Sequence, residues 1–212
     1  ALPPAAEAMT CDPTFLPRFT FYALIVGWFA FALTFALRRK PSAAGQAATR
    51  RDRGSWIGIV LQGLAFMLVW TWRRNFRGLI APLGPPWDLV VAIAVPVLLI
   101  GSVLTVRAAV ATLGKQWSLG ARVVAEHDLI TAGPYGLMRH PIYTGMFGML
   151  LAVGLTLSRS AALLIGIVVF WLGTAIRIRS EEKLLRATFG QAYDAYAARV
   201  PAVLPWRWRP WN

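Results

Sequence analysis

Five stretches of this chain are too long and too apolar for a water-soluble fold: Phe19 to Leu37, Gly54 to Trp72, Leu89 to Val106, Pro141 to Ser158 and Ser160 to Ile176. A helix rises 1.5 Å per residue, so crossing the hydrocarbon core of a bilayer takes about 20 apolar residues. The first stretch carries no charge, and the second is interrupted only by the amide of Gln62. The third contains Pro96, which removes a helical hydrogen bond and should kink its helix. The last two are separated by Arg159 alone and read as a tight helical hairpin with a short second arm. Of the 212 residues 57% are hydrophobic and 15% charged, against about 25% charged in typical soluble proteins. An ordinary soluble domain and a disordered chain are both excluded.

The expected fold is therefore an all-α integral membrane protein of about five transmembrane helices with a helical cap at its C-terminal end. Residues 1–18 form a short leading segment, 19–212 a single membrane domain and 177–212 its cap. The first span is too long for the apolar core of a signal peptide and has no basic segment before it. Cys11 is the single cysteine, so no internal disulfide can form. Residues 41–49 have the small, polar composition of a linker.

The net charge of +13 raises two classes of partner, nucleic acid and an anionic membrane surface. Position decides between them. Seventeen Lys and Arg residues lie between spans one and two, between three and four, and after span five; only five lie at the other ends. Such sidedness follows the positive-inside rule and is not required of a nucleic-acid groove. It puts the C-terminus in the cytoplasm and the N-terminus outside, in what reads as a bacterial inner membrane, with lipid head groups rather than nucleic acid as the anionic partner. Trp56, Trp70, Trp72 and Trp87 fall at span ends, where indoles prefer the interface. Trp206, Trp208 and Trp211 alternate with Arg207 and Arg209, a pattern suited to a tail on the membrane surface.

Chemistry-bearing residues gather in the loop from Lys115 to Arg139 and just after span five. His127 and His140 are the only histidines, and Glu181 and Glu182 are adjacent. Arg177 and Glu181 are four apart on one helix face, the spacing of an ordinary surface ion pair. Pro141 suits the first turn of a helix, and His140 before it suits a polar cap at the membrane edge. Two histidines and one cysteine make a poor metal set, so no metal is expected. A tail helix from Ser180 to Arg199 would bring Leu185, Phe189, Tyr193, Tyr196 and Val200 near one face. Residue types alone lead to a polar cytoplasmic site and stop short of a reaction.

The run His127 to Tyr135 (HDLITAGPY), then Arg139 to Gly145 (RHPIYTG), then Glu181 to Leu185 (EEKLL), Phe189 to Tyr196 (FGQAYDAY) and Val200-Pro201 resembles the isoprenylcysteine carboxyl methyltransferase family. The resemblance covers roughly residues 113–205. It implies an integral membrane methyltransferase that uses S-adenosylmethionine at the cytoplasmic face. It implies that His127, Leu129 and Ile130 line the cofactor, that Tyr135 packs beside it, and that His140, Pro141 and Tyr143 contact it. Glu181 or Glu182 would accept hydrogen bonds from it, and Arg177 would hold the acceptor. An Arg fork pairs best with a carboxylate or phosphate, which favours an anionic head group on a lipophilic tail entering from the bilayer. The oligomeric state is left open.

Other readings remain beside this one. Phospholipid methyltransferases and other N- or S-methyltransferases share the core of the resemblance. Membrane steroid reductases using NADPH end in a similar Gly-x-x-Tyr-x-x-Tyr pattern, yet Ile142 and Met146 replace the Asn and Glu of their turn. A non-catalytic scaffold is the third class, and it leaves the clustering of histidines, tyrosines and paired acids without a reason.

Overall fold

The computed structural model describes residues 15–37, 48–51, 54–74, 83–84, 86–114, 122–124 and 128–203. Among these, seven helices carry the fold: α1 (Phe15–Ala36), α2 (Ser55–Thr71), α3 (Trp87–Leu113), α4 (Pro134–Leu137), α5 (Pro141–Leu157), α6 (Ser160–Phe189) and α7 (Gln191–Arg199). Three of them, α1, α3 and α6, are long and apolar enough to cross a membrane, while α2 and α5 are apolar helices of 17 residues. The helical expectation needs one amendment. A two-stranded antiparallel ribbon joins β1 (Ala48–Arg51) to β2 (Arg122–Val124).

That ribbon ties the connection between α1 and α2 to the one between α3 and α4, so both lie at one end of the bundle. At the other end the backbones of Arg73 and Ser158 bridge, and Arg159 N–H donates to the Trp72 carbonyl. The Arg74 guanidinium also donates to the carbonyls of Leu155 and Thr156, satisfying acceptors that the C-terminus of α5 leaves unpaired. The basic-rich connections and the basic-poor ones thus segregate to opposite ends, as the charge count requires.

Helix limits differ from the apolar runs where packing extends them. α3 continues through Pro96 and past Val106 to Leu113, which puts Arg107 inside a helix. α6 does not stop at Ile176 but continues as one helix of 30 residues, about 45 Å at the helical rise. The expected tail helix from Ser180 to Arg199 is two helices. Gly190 sits between them at φ 52° and ψ −126°, a backbone region that L side chains avoid, and the chain turns there. Tyr193 and Tyr196 are buried as a result.

The expected hairpin of the last two spans is also looser than their short connection implies, because α6 lies chiefly against α2 and α5 against α3, with α1 chiefly against α3. Between helices in hydrocarbon, close contact replaces the hydrophobic effect as the driving force, and small residues permit it. A Cβ on Gly58 would lie 2.5 Å from the Gly173 carbonyl oxygen, and one on Gly173 would lie 2.8 Å from that of Gly58. The two backbones touch. Outward faces along the middle of the helices carry large apolar side chains, as with Val26 and Phe29 on α1, Ile93 and Val97 on α3, and Leu164 and Val168 on α6, all exposed.

Adding a methyl at the α2–α6 contact should therefore be costly. Gly58→Ala is expected to destabilise by about 1–3 kcal/mol, read as a lowered Tm of the detergent-purified protein. Gly63→Ala, whose new methyl meets nothing within 4 Å, is the control and should leave Tm close to wild type. Equal behaviour of the two variants would disprove the close contact.

Candidate functional site

At the ribbon end of the bundle, the start of α5 meets the last turns of α6. Pro141 is the first residue of α5, where its missing N–H leaves no bond unmade, and it is fully buried. His140 occupies the N-cap position, but its side chain caps nothing. The edge-cap expectation is corrected here: the imidazole turns to the two acids of α6. Its Nδ1 lies 3.4 Å from Glu181 Oε2 and its Nε2 lies 3.3 Å from Glu182 Oε1. Only 6% of His140 is exposed.

Glu181 and Glu182 are neighbours on a helix and so point about 100° apart. Glu182 is the more enclosed. It receives Arg139 Nε at 3.0 Å and Nη2 at 2.8 Å, and faces Arg186 Nη2 at 3.4 Å. Arg139 also donates from Nη1 to the carbonyls of Ala197 and Val200, which fastens α7 to the turn before α5. The following segment is laced to the same turn: Arg139 N–H donates to the Pro201 carbonyl and His140 N–H to that of Ala202, each at 2.9 Å, while Thr144 Oγ1 donates to Val203 at 2.7 Å. Tyr196 closes the arrangement by donating to the Tyr135 carbonyl at 2.6 Å.

Glu181 keeps a quarter of its side chain exposed and faces the other way. The Tyr143 hydroxyl donates to its Oε1, and Arg177 Nη2 lies 3.8 Å from the same oxygen. The Arg177 guanidinium stands 4.9 Å from the centre of the Tyr143 ring, and His140 stacks on that ring at 5.6 Å. Arg177 is 6% exposed, so the Arg177–Glu181 pair is not the surface pair its spacing suggests. Burial changes its chemistry, because a cation over an aromatic face gains most where water is excluded.

Gln62 and Arg139 are among the residues of this network to which the sequence alone assigns no role. Gln62 of α2 accepts from Arg177 Nη1 at 3.0 Å through its Oε1, and its Nε2 donates to Thr174 Oγ1 at 2.8 Å. The available signal was that Gln62 is the one amide in an otherwise apolar span, and polar groups at membrane depth are functional candidates by default. Arg139 belongs to the motif at 139–145, and its role as a clamp depends on contacts far along the chain.

Of the residues named from sequence, His140, Pro141, Tyr143, Arg177, Glu181 and Glu182 come together here. Tyr135 is buried beside them: burial first, and then the nearby Glu181 carboxylate, push its phenol pKa up and keep it a neutral hydroxyl. Leu129 and Ile130 are half-buried in the segment leading to α4. His127 and the tail tryptophans lie outside the described residues. Among the described residues no group of three or more His, Cys, Asp and Glu side chains is arranged to hold a metal.

Burial alone lowers the pKa of His140, and the two carboxylates outweigh it, so the net shift is upward. A folded-state pKa above the unfolded value of about 6.5 means the charged imidazole contributes stability that is complete below that pH. The contribution fades as pH rises through the folded value. Wild type should thus lose stability from about pH 6.5 upward by a component that His140→Gln lacks, measured by unfolding across a pH series. Superimposable profiles would mean His140 is neutral in the fold. Arg139→Ala, which strands a buried carboxylate and frees α7, should cost about 3 kcal/mol; a loss under about 1 kcal/mol would count against the clamp.

Comparison with known proteins adds to this geometry. Residues 81–187 match the model of the isoprenylcysteine carboxyl methyltransferase family. Protein-S-isoprenylcysteine O-methyltransferase B of Arabidopsis thaliana is 33% identical over 51% of this chain and 55% of its own length. The protein-S-isoprenylcysteine O-methyltransferase of Schizosaccharomyces pombe is 35% identical over 38% of this chain and 34% of its own. A nickel-cobalt-cadmium resistance protein of Alcaligenes xylosoxydans xylosoxydans is 35% identical over 45% of each. The chain spans about half, or less, of the length of these curated relatives. Since the family model covers half of the chain and includes α5 and nearly all of α6, which carry His140, Tyr143, Arg177 and the two acids, the chain belongs to the isoprenylcysteine carboxyl methyltransferase family.

Proposed function

We propose that this protein is an integral membrane methyltransferase that moves a methyl group from S-adenosylmethionine to the carboxylate of a lipophilic acceptor, as in isoprenylcysteine carboxyl methylation. The observation that carries the reading is the buried Arg177 fork, set over Tyr143 and beside the approachable Glu181 at one end of the bundle. The family's general use of S-adenosylmethionine agrees with it.

The donor set suits that cofactor. S-adenosylmethionine carries a carboxylate, an ammonium, ribose hydroxyls and a sulfonium, so its site needs both signs of charge, acceptors and aromatic faces. Glu181 offers a carboxylate with a quarter of its side chain exposed, while Tyr135 and Tyr143 offer rings and Arg139, His140 and Arg177 offer positive charge. We assign cofactor contact to His127, Leu129, Ile130, Tyr135, His140, Pro141, Tyr143 and Glu181, with Glu182 behind them as the anchor that fixes Arg139 and His140. When bound, the cofactor supplies an electrophilic methyl group. The chain's own part is positional. A carboxylate acceptor is ionised near neutral pH and needs no base, so Arg177 has only to receive it and hold it in line. His140 keeps its charge by bonding both acids, and the laced segment 201–203 covers the turn that carries it.

In this reading all five apolar helices span, with α2 and α5 as short spans of about 25 Å. The site end faces the cytoplasm of a bacterial inner membrane because the Lys and Arg residues concentrate there, and residues 177–212 cap it within the single domain 19–212. The acceptor's tail enters sideways from the lipid. Neither the phospholipid-methyltransferase nor the reductase reading is favoured by the family match.

Calorimetry on the purified protein tests the reading. S-adenosylhomocysteine should bind saturably and NADPH should not. Glu181→Gln should weaken S-adenosylhomocysteine about 10- to 100-fold, the loss expected of a charged hydrogen bond, whereas Arg177→Ala should leave that binding near wild type and abolish turnover. NADPH binding alone would replace the methyltransferase with a reductase, and loss of S-adenosylhomocysteine binding in Arg177→Ala would move that residue to the cofactor.

A further inference from the structure

We propose that the groove between the start of α2 and residues 176–183 of α6 is a site for an anionic phospholipid, its phosphate held by Arg179 and Lys183 and its chains laid along the apolar helix faces beside them. The site stands apart from the methyltransferase reading. Two residues along a helix turn about 200°, so the exposed Arg179 faces away from the buried Arg177 and from the cluster around it.

Gly54, Ile176, Arg179, Ser180 and Lys183 line a groove of about 210 Å³. Its two side-chain cations carry the site. Arg179 and Lys183 are exposed and four apart, so they share a helix face on which like charges repel. The acids of α6 are engaged elsewhere: Glu181 with His140 and Arg177, Glu182 with Arg139, His140 and Arg186. Among the described residues neither Arg179 nor Lys183 forms an ion pair. The opposite wall adds charge of the same sign. α2 begins there without a side-chain cap, and a helix start is partially positive. Residues 50–53, which lead into it, hold three arginines against the single acid Asp52. An anion between Arg179 and Lys183 relieves their repulsion and matches both walls.

The surface that continues from the cations shows that this anion carries acyl chains. Steps of three and four from Lys183 and Arg179 lead back along one face of α6 to Ile176, Leu172, Val169 and Ile165, of which Leu172 and Ile165 are exposed. On α2, which packs against α6, the same steps from Gly54 lead to Ile57, Leu61 and Leu64, with Ile57 and Leu64 exposed. From Ile176 to Ile165 the helix rises about 17 Å, close to half of the roughly 30 Å hydrocarbon core and so to the depth of one leaflet. A free phosphate would use the cations and leave both apolar stripes bare; a phospholipid covers both. Long Arg and Lys stems lie on apolar surface while their charged ends reach head-group level, and a basic groove between membrane helices at that level is where anionic lipids are held.

The test uses the full chain, delipidated in detergent, with dioleoyl phosphatidylglycerol titrated and its uptake followed by native mass spectrometry. Wild type should take up this lipid ahead of dioleoyl phosphatidylcholine. Arg179→Gln/Lys183→Gln should weaken phosphatidylglycerol about 30-fold, the worth of two cations near a membrane surface. Arg179→Gln alone should weaken it about fivefold and carries the test if the double variant fails to fold. Arg107→Gln/Arg199→Gln removes two other exposed cations from the same end of the bundle and should leave the affinity within about twofold. Equal losses in the two double variants would mean a diffuse attraction to the basic end and would overturn the site. Equal uptake of the two lipids by wild type would overturn it as well. Inorganic phosphate that displaces phosphatidylglycerol from wild type at equal concentration would put a soluble anion in the groove in place of the lipid.

Discussion

Two adjacent carboxylates near the end of a long apolar helix are the constraint around which one end of this molecule is organised. Removing a carboxylate from water costs several kcal/mol unless cations and donors replace the solvent. Glu182 obtains them from Arg139, His140 and Arg186, and these come from the turn before α5 and from α6 itself. Because Arg139 also donates to carbonyls of α7 and the segment after it, satisfying one carboxylate fixes the turn, the last helix and the strap at 201–203 together. Remove the acid, and three separate pieces of chain lose their common anchor.

The bundle below supplies the other half of that geometry. Helices in hydrocarbon associate through contact and through interhelical hydrogen bonds. Gly58 and Gly173 bring two backbones together, and Gly145 does the same for α5 against α3, where a Cβ would lie 3.0 Å from the Ser102 carbonyl oxygen. α6 is thereby held against α2, and α5 against α3, and the start of α5 meets the end of α6 through the side chains of His140, Tyr143 and the two acids. The distances from His140 and Tyr143 to the two acids are set by packing many residues away.

Much of this was legible in the sequence, and the reasons for the rest are physical. Apolar runs marked the helices because the membrane imposes a length, and the Lys and Arg count sorted the ends because sidedness is a property of loops. Helix limits were less accessible: α6 continues past Ile176 with Arg177 and Glu181 inside it, each meeting polar partners, and the break comes at Gly190, where backbone conformation and not hydropathy decides. His140 was read as a cap and Arg177–Glu181 as a surface pair because spacing reports which residues share a face and says nothing of what covers it. Gln62 and Arg139 act across 115 and 43 residues of sequence, and such pairings are invisible to any local pattern.

The adjacency of the two acids also divides their labour. About 100° of helical rotation sends Glu182 towards Arg139 and Glu181 towards Tyr143 and Arg177, and His140 sits between with one ring nitrogen near each. A neutral imidazole donates from one nitrogen only; the imidazolium donates from both and so serves both acids. With His140 charged, two carboxylates face four cations, namely Arg139, His140, Arg177 and Arg186. The half-exposed Arg186 has Asp194 as a further partner. Arg177 has the neutral Gln62 as a short contact beside Glu181. With the imidazole serving both, neither acid can shift without disturbing the partner of the other.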